Sequence, residues 1–270
     1  MHVVVCVKQV PDTANVRINP ETNTLMREGV ESIVNPFDEY ALEQGLMLKD
    51  RHGAKLTVIS MGPPQATAVL REALARGADD AFLASSRAFG GADTLATSYT
   101  LAQAVKKACG GKTPDLVLFG KQAIDGDTAQ VGPGVSEFLG VPLVTYVRKI
   151  DVVEAGGEAK FTVESVMDDG IATIEGKLPA VMTVLKESAA PRFAPLAGAI
   201  RAAKADIAVL DEKDIEADPV YIGLKGSPTK VVTIFPPPIK GGGEKIVASG
   251  PDAAKAIAAF LEKKGWAKNG

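Results

Sequence analysis

The sequence predicts a doubly wound α/β fold with a mostly parallel sheet, an antiparallel strand addition and an extended C-terminal arm. Three observations predict it. From residue 3 to about 145, short apolar runs alternate with longer amphipathic segments, the rhythm of strands buried on both faces and of crossover helices. After 145 the rhythm becomes closely spaced strand-like runs divided by glycines. From about 211, Gly223, Gly226, Pro228, Pro236-Pro237-Pro238 and Gly241-Gly242-Gly243 break up regular structure. The expected division is 1–210 for the α/β domain and 211–270 for an arm with too little apolar content to fold alone.

The elements follow in order. Val3–Val7, Leu56–Met61 and Leu116–Phe119 are continuous apolar runs and read as buried parallel strands, with Ala81–Ala84 a shorter candidate. A helix starts at Asn35-Pro36, since Asn can cap and Pro suits the first turn; Phe37, Tyr40, Ala41, Met47 and Leu48 give its apolar face, with Glu39, Glu43 and Lys49 on polar positions. A second helix runs from about Gln65 to Gly77, burying Val69, Leu70, Ala73 and Leu74. A third opens at Asp93, a good N-cap, and runs to Cys109. A fourth follows Asp127 and ends near Gly140. Beyond these, Val144–Ile150 and Phe161–Val166 read as an antiparallel hairpin across Glu154-Ala155-Gly156-Gly157, and Val181–Leu185 as another strand. Helices are expected over Pro195–Lys204 and Pro251–Lys264, the latter with Ile257, Phe260 and Leu261 on one face.

Composition narrows the chemistry. The chain has 270 residues, 46% hydrophobic and 23% charged, ordinary globular values that exclude wholesale disorder. A net charge of −3 argues against a nucleic-acid scaffold. No window approaches the length of a membrane span, and Met1-His2 leads straight into Val3–Val7 without a cationic leader, so no membrane insertion and a cytoplasmic location are expected. Two cysteines, Cys6 and Cys109, are too few for a cysteine-ligated cluster or a four-cysteine zinc site. Two histidines, His2 and His52, leave little room for a His-rich metal site, so redox chemistry would fall to an organic cofactor.

The richest segment runs Gly120-Lys121-Gln122-Ala123-Ile124-Asp125-Gly126-Asp127-Thr128-Ala129-Gln130-Val131-Gly132-Pro133. It follows a strand and opens a helix. Gly120 and Gly126 permit a tight turn and close approach to a ligand, Lys121 offers a cation, and a helix start at Thr128–Gln130 would present free N–H groups and a positive dipole end to a phosphate. The P-loop spacing is absent, and an ordinary strand–helix loop with Asp127 as cap is the alternative. The other strand ends fit one nucleotide: Val7–Pro11, Asn35–Asp38 and Met61-Gly62-Pro63. Each has a plain reading too, with Asn35 as a cap, Phe37 as core, Met61 as packing and Cys6 as a buried, inert thiol.

Taken in order, Val5-Cys6-Val7-Lys8-Gln9-Val10-Pro11, Asn35-Pro36-Phe37-Asp38-Glu39, Gly62-Pro63-Pro64, Gly77-Ala78-Asp79, Gly120–Pro133 and Leu178-Pro179-Ala180-Val181 resemble the beta subunit of electron transfer flavoproteins over nearly the full length. Met1–Pro11, Asn23-Thr24 before Met26-Arg27, Asp93-Thr94-Leu95-Ala96-Thr97 and Gly126–Pro133 are similar to the Fix-type, electron-bifurcating branch. The resemblance implies an adenine nucleotide alpha-hydrolase-like fold and a heterodimer with an alpha subunit that holds one FAD. It also implies a second nucleotide at Cys6, Asn35, Pro36, Phe37, Asp38, Met61 and Lys121 to Gly132. In the conventional branch that nucleotide is a structural AMP. In the bifurcating branch it is FAD, which accepts hydride from NADH, so an NADH-oxidising role within a complex is implied there. Thr94 and Thr97 are expected near the flavin pyrimidine edge, or else as ordinary residues of a helix start. Electrons would pass to an acyl-CoA dehydrogenase or a quinone oxidoreductase, with Leu196 of Pro191-Arg192-Phe193-Ala194-Pro195-Leu196 as the docking anchor, or else a buried helix-start leucine.

Two departures matter. Conventional members carry two further aspartates after Asp125 and then a Cys-Asn pair; Gly126-Asp127-Thr128-Ala129 stands here instead and favours FAD. Val166 stands where the family often has an acidic residue, so the resemblance does not carry over a salt bridge from that position to the alpha subunit. Outside redox chemistry, a nucleotide-binding module like the universal stress proteins and a structural partner that merely holds AMP fit the same α/β plan.

Overall fold

The computed structural model describes residues 1–12, 17–18, 25–26, 32–155, 158–232, 245 and 247–266. Asn23-Thr24, Arg27, Gly156-Gly157, Ile234-Phe235, Pro236-Pro237-Pro238 and Gly241-Gly242-Gly243 lie outside the described residues. In chain order the elements are β1 (His2–Cys6), β2 (Gln9–Pro11), β3 (Arg17–Ile18), β4 (Leu25–Met26), β5 (Ser32–Val34), α1 (Pro36–His52), β6 (Lys55–Met61), α2 (Thr67–Arg76), β7 (Asp80–Ala84), α3 (Thr94–Ala108), β8 (Leu116–Gly120) and α4 (Val131–Leu139). They continue with β9 (Leu143–Ala155), β10 (Glu158–Met167), β11 (Gly170–Lys177), β12 (Ala180–Val184), α5 (Leu196–Lys204), β13 (Ala208–Leu210) and α6 (Gly250–Lys263).

A nine-stranded sheet runs in the order β11-β10-β9-β12-β8-β1-β6-β7-β13. The strands from β9 to β13 across its centre pair in parallel, whereas β10 and β11 are antiparallel additions at one edge. The apolar runs are buried on both faces, as predicted. Val3 and Val5 face one core with residues of α1, α2 and α5, and Val4 and Cys6 face a second core with α3 and α4. Period-two alternation thus splits one apolar strand between two layers. β11 and β13 were not foreseen; β11 alternates exposed with half-buried positions, a pattern weakened by Gly170 and Gly176.

α1 departs from a one-sided amphipathic reading. Glu43, expected on a polar face, is 6% exposed. Arg192 accounts for it: its guanidinium donates to Glu43 Oε1 at 2.8 and 3.0 Å, and its backbone N–H to Oε2 at 2.9 Å. A buried carboxylate is tolerable when a bidentate cation and a backbone donor satisfy it.

The topology sets the site. The chain runs from β1 through α1 to β6, then through α2 to β7, all to one side of β1. It returns through α3 to place β8 on the other side, with Cys6 beside Phe119 in parallel register. The strand order therefore reverses between β1 and β8, and at such a switch point the strand carboxyl ends are where a ligand crevice forms.

Met1–Val231 forms one compact unit and Val232–Gly270 another. The first unit runs past 210 because Ile215 and Ile222 are buried, the Asp218 N–H donates to the Tyr99 hydroxyl, and Tyr221 packs on the Tyr99 ring. In the second unit, α6 bears Ile257 and Phe260 on its surface, and Trp266 stacks edge-on against Phe260. Among the described residues no helix is long and apolar enough to cross a membrane.

Candidate functional site

Asn35, just before α1, and Asp38, in its first turn, tie the crevice together. Asn35 was read as a cap, yet its side chain makes no capping bond. Its Nδ2 donates to the Gln122 carbonyl at 2.8 Å, its Oδ1 accepts from the Ile124 N–H at 3.2 Å, and its backbone N–H donates to the Lys8 carbonyl at 2.8 Å. Asp38 accepts from the Lys8 N–H at 2.7 Å on Oδ2 and from the Gly120 N–H at 3.2 Å on Oδ1. Burial pushes its carboxyl up to about 7, against the opposing pull of the Asn35 side chain, of those two backbone donors and of the Lys8 charge. Gly120 is required here for a reason other than ligand approach. A Cβ at that position would come within 2.5 Å of the Phe37 carbonyl carbon and 2.7 Å of the Asp38 nitrogen.

The segment from Lys121 to Gln130 roofs the crevice as a loop. The helix expected to follow Asp127 begins instead at Val131, with Gln130 as its first flanking residue and no side-chain cap. The cause is backbone conformation: Asp127 and Ala129 lie at φ +51° and +53°, which no right-handed helix accommodates. The left-handed positions thus fall on Asp127 and Ala129, whereas Gly126 is not left-handed and a Cβ there would meet nothing within 4 Å. The N–H groups of Thr128, Ala129 and Gln130 find no acceptor among the described residues, and those of Val131 and Gly132 have none within the helix by geometry. A row of free donors at a helix start attracts an anion.

The loop's own carboxylates have partners, a cation for Asp125 and a neutral amide for Asp127. Lys8 Nζ bonds both oxygens of Asp125 at 2.7 and 2.8 Å, and Gln122 Nε2 donates to Asp127 at 2.7 Å. Lys121, whose N–H continues the ladder to Val184, holds its ammonium 5.4 Å above the Tyr146 ring. Tyr146 sits at φ +53°, beside a register shift between β9 and β12, and is partly exposed. Sequence reading missed Tyr146, since a bulge leaves no compositional mark, and passed over the cross-crevice role of Lys8. Toward β6, Lys8, Gln9, Met61 and Gly62 line a cleft of about 220 Å³. The plain reading of Cys6 holds for its thiol, which is buried and held protonated by that burial.

The start of α3 behaves differently. The Asp93 carboxylate accepts from the Leu95 and Ala96 N–H groups at 3.0 and 3.1 Å, and its other oxygen accepts from Thr229 N and Oγ1 at 3.0 and 2.9 Å. The N–H groups of Leu95, Ala96 and Thr97 are therefore occupied, the last by the Asp93 carbonyl. The Thr94 hydroxyl donates to Gln130 Oε1 at 2.7 Å, which joins this helix start to the end of the loop, and Thr97 is half-buried. Leu196 begins α5 away from these groups in sequence and is 78% exposed, with Phe193 96% exposed before it. A buried helix-start leucine is thus excluded.

A crevice at the switch point of a parallel sheet, roofed by a loop and backed by an uncapped helix, defines a class: doubly wound α/β proteins that hold their ligand beyond the strand carboxyl ends. The model of the electron transfer flavoprotein domain matches residues 22–215. The chain is 49% identical to an electron transfer flavoprotein subunit beta of Clostridium acetobutylicum, over 98% of this chain and 99% of that one. It is 49% identical to the caffeyl-CoA reductase-Etf complex subunit CarD of Acetobacterium woodii, over 92% and 93%, and 48% identical to Protein FixA of Azorhizobium caulinodans, over 88% and 85%. The chain belongs to the electron transfer flavoprotein family, as a beta-type subunit.

Proposed function

We propose that this chain is the beta half of a heterodimeric electron transfer flavoprotein and seats an adenine nucleotide in the β1/β8 crevice. The observation that carries the reading is the row of unpaired N–H groups from Thr128 to Gln130, in a loop whose Asp125 is paired with Lys8 and whose Asp127 is hydrogen-bonded to Gln122. The residues fit the phosphate of such a group: backbone donors and the α4 dipole face it, and Lys8 and Lys121 stand at the loop edges. Asn35 to Asp38, Cys6 and Met61 form the wall around the nucleoside.

FAD is the nucleotide this reading favours, on Gly126-Asp127-Thr128-Ala129. When bound, it supplies hydride acceptance from NADH and one-electron transfer onward. The chain's residues bind and orient; no side-chain acid or base is required of them. In this role the chain works with an alpha subunit in the cytoplasm and supports flavin-based bifurcation, and the exposed Phe193–Leu196 segment docks an acyl-CoA dehydrogenase or quinone-linked partner. A proline-framed apolar anchor loses little entropy on docking. The relatives' names support such assemblies, since one is itself called part of a reductase complex.

Flavin quantification on the purified heterodimer, followed by anaerobic titration with NADH, tests the reading. Two FAD per heterodimer and bleaching by NADH are expected. One FAD with one AMP and no response to NADH would leave the conventional carrier.

A further inference from the structure

The role of Asp38 goes beyond lining the crevice. Both its oxygens are spent on the chain itself: Oδ2 on the Lys8 N–H at the end of β1, Oδ1 on the Gly120 N–H at the end of β8. These two strands flank the switch point. The residue is 6% exposed, so its carboxylate is a strut inside the crevice wall and not a surface group. We propose that Asp38 is a positioning residue of the nucleotide site, holding the carboxyl ends of β1 and β8 at one spacing without touching the ligand, so that protonating it loosens the crevice and weakens nucleotide binding.

The proposal rests on the reading of the crevice as a nucleotide site. The physical argument is one of acceptors. An ionised carboxylate offers acceptor lone pairs on both oxygens, whereas a neutral carboxyl turns one oxygen into an O–H donor. One of the two backbone N–H groups then loses its good acceptor, and a strand end is released. The Lys8 end also carries the ion pair to Asp125, and the Gly120 end continues into the loop, so either release reaches the phosphate seat. The groups facing Asp38 are few. The Asn35 side chain, beside it at the start of α1, hydrogen-bonds the carboxylate and favours the ionised form, as does Lys8; Cys6 of β1 is kept neutral by burial, and β8 presents only its N–H.

The sign is unusual and makes the role separable from a merely structural one. Burial raises the folded pKa from 3.8 to about 7. The contribution of Asp38 to folding stability is therefore greatest below pH 4 and declines as pH rises to 7, while the strut needs the charged form. On acidification through 7, fold stability from this residue rises while nucleotide affinity falls.

The test is an AMP titration of the nucleotide-stripped heterodimer from about pH 6 to about pH 8, with Asp38→Asn beside the wild type. Amide exchange at Lys8 and Gly120 is followed in the same samples. AMP itself gains a proton near pH 6, a contribution common to both proteins that cancels in the comparison. Affinity of the wild type, relative to Asp38→Asn, is expected to fall by up to about tenfold per pH unit below 7, with the two amides losing protection in step. Weak, comparatively flat binding is expected of Asp38→Asn. Equal profiles in the two proteins overturn the proposal. So does tighter wild-type binding as pH falls, the sign of a carboxylate that only repels the phosphate. If Asp38→Asn does not fold, wild-type amide protection that is level across the range overturns it. Failure of the wild type to bind AMP or FAD at any pH, with the amides still responding, would mark the nucleotide reading as the part that failed and overturn the role with it.

Discussion

The starts of α3 and α4 lie at the two ends of one hydrogen bond, Thr94 to Gln130, yet they are finished in opposite ways. Asp93 closes α3 by taking the Leu95 and Ala96 N–H groups and anchoring Thr229 with its free oxygen. Gln130 leaves α4 open, and the left-handed residues Asp127 and Ala129 before it turn further N–H groups away from internal partners. Backbone donors left unpaired in a folded chain cost free energy unless water or a ligand takes them. One helix start is therefore built for stability and its neighbour for binding. The Asp93 carboxylate, whose desolvation is outweighed by four hydrogen bonds that lower its pKa, also makes the α3 end unattractive to an anion.

Substitutions at the two ends should separate stability from binding. The largest effect is expected from Gly126→Val. A Cβ there meets nothing in the chain within 4 Å, and the position is not left-handed, so the melting temperature should hold. Backbone approach to a phosphate should not, and losing one or two charge-assisted bonds would cost on the order of 3 kcal/mol, about a hundredfold in affinity. Nucleotide stoichiometry after desalting checks it. Gly120→Ala should damage both properties, since its Cβ intrudes on Phe37 and Asp38; about 1–3 kcal/mol of destabilisation is expected in chemical denaturation. Asp93→Ala should invert the result for Gly126, costing roughly 1 kcal/mol of stability with nucleotide content intact. Leu196→Ala lies outside the comparison and calibrates it. At 78% exposure, stability should move by less than about 0.5 kcal/mol and flavin content not at all, while electron delivery to a dehydrogenase slows.

How much of this the sequence made legible follows from which interactions leave a pattern. Val3–Val7 and Leu116–Phe119 were legible because a strand buried on both faces must be apolar throughout. Asp93 was legible because an N-cap acts on its own next few residues. What stayed hidden is non-local. Asn35 looks like a cap in isolation, and only the return of β8 brings Gln122 and Ile124 to its side chain. Glu43 looks exposed until Arg192, far along the chain, pairs with it. The start of α4 was misplaced because Thr128, Ala129 and Gln130 carry no Gly or Pro to signal the left-handed turn at Asp127 and Ala129. The glycine that seemed to serve the ligand, Gly120, serves the approach of α1.

Amide exchange with and without bound nucleotide tests the central claim most directly. The account predicts slowed exchange from Thr128 to Gly132 on adding nucleotide, with Leu95 and Ala96 already protected beforehand and unchanged. Protection gained at 93–97 with none from Thr128 to Gly132 would contradict it.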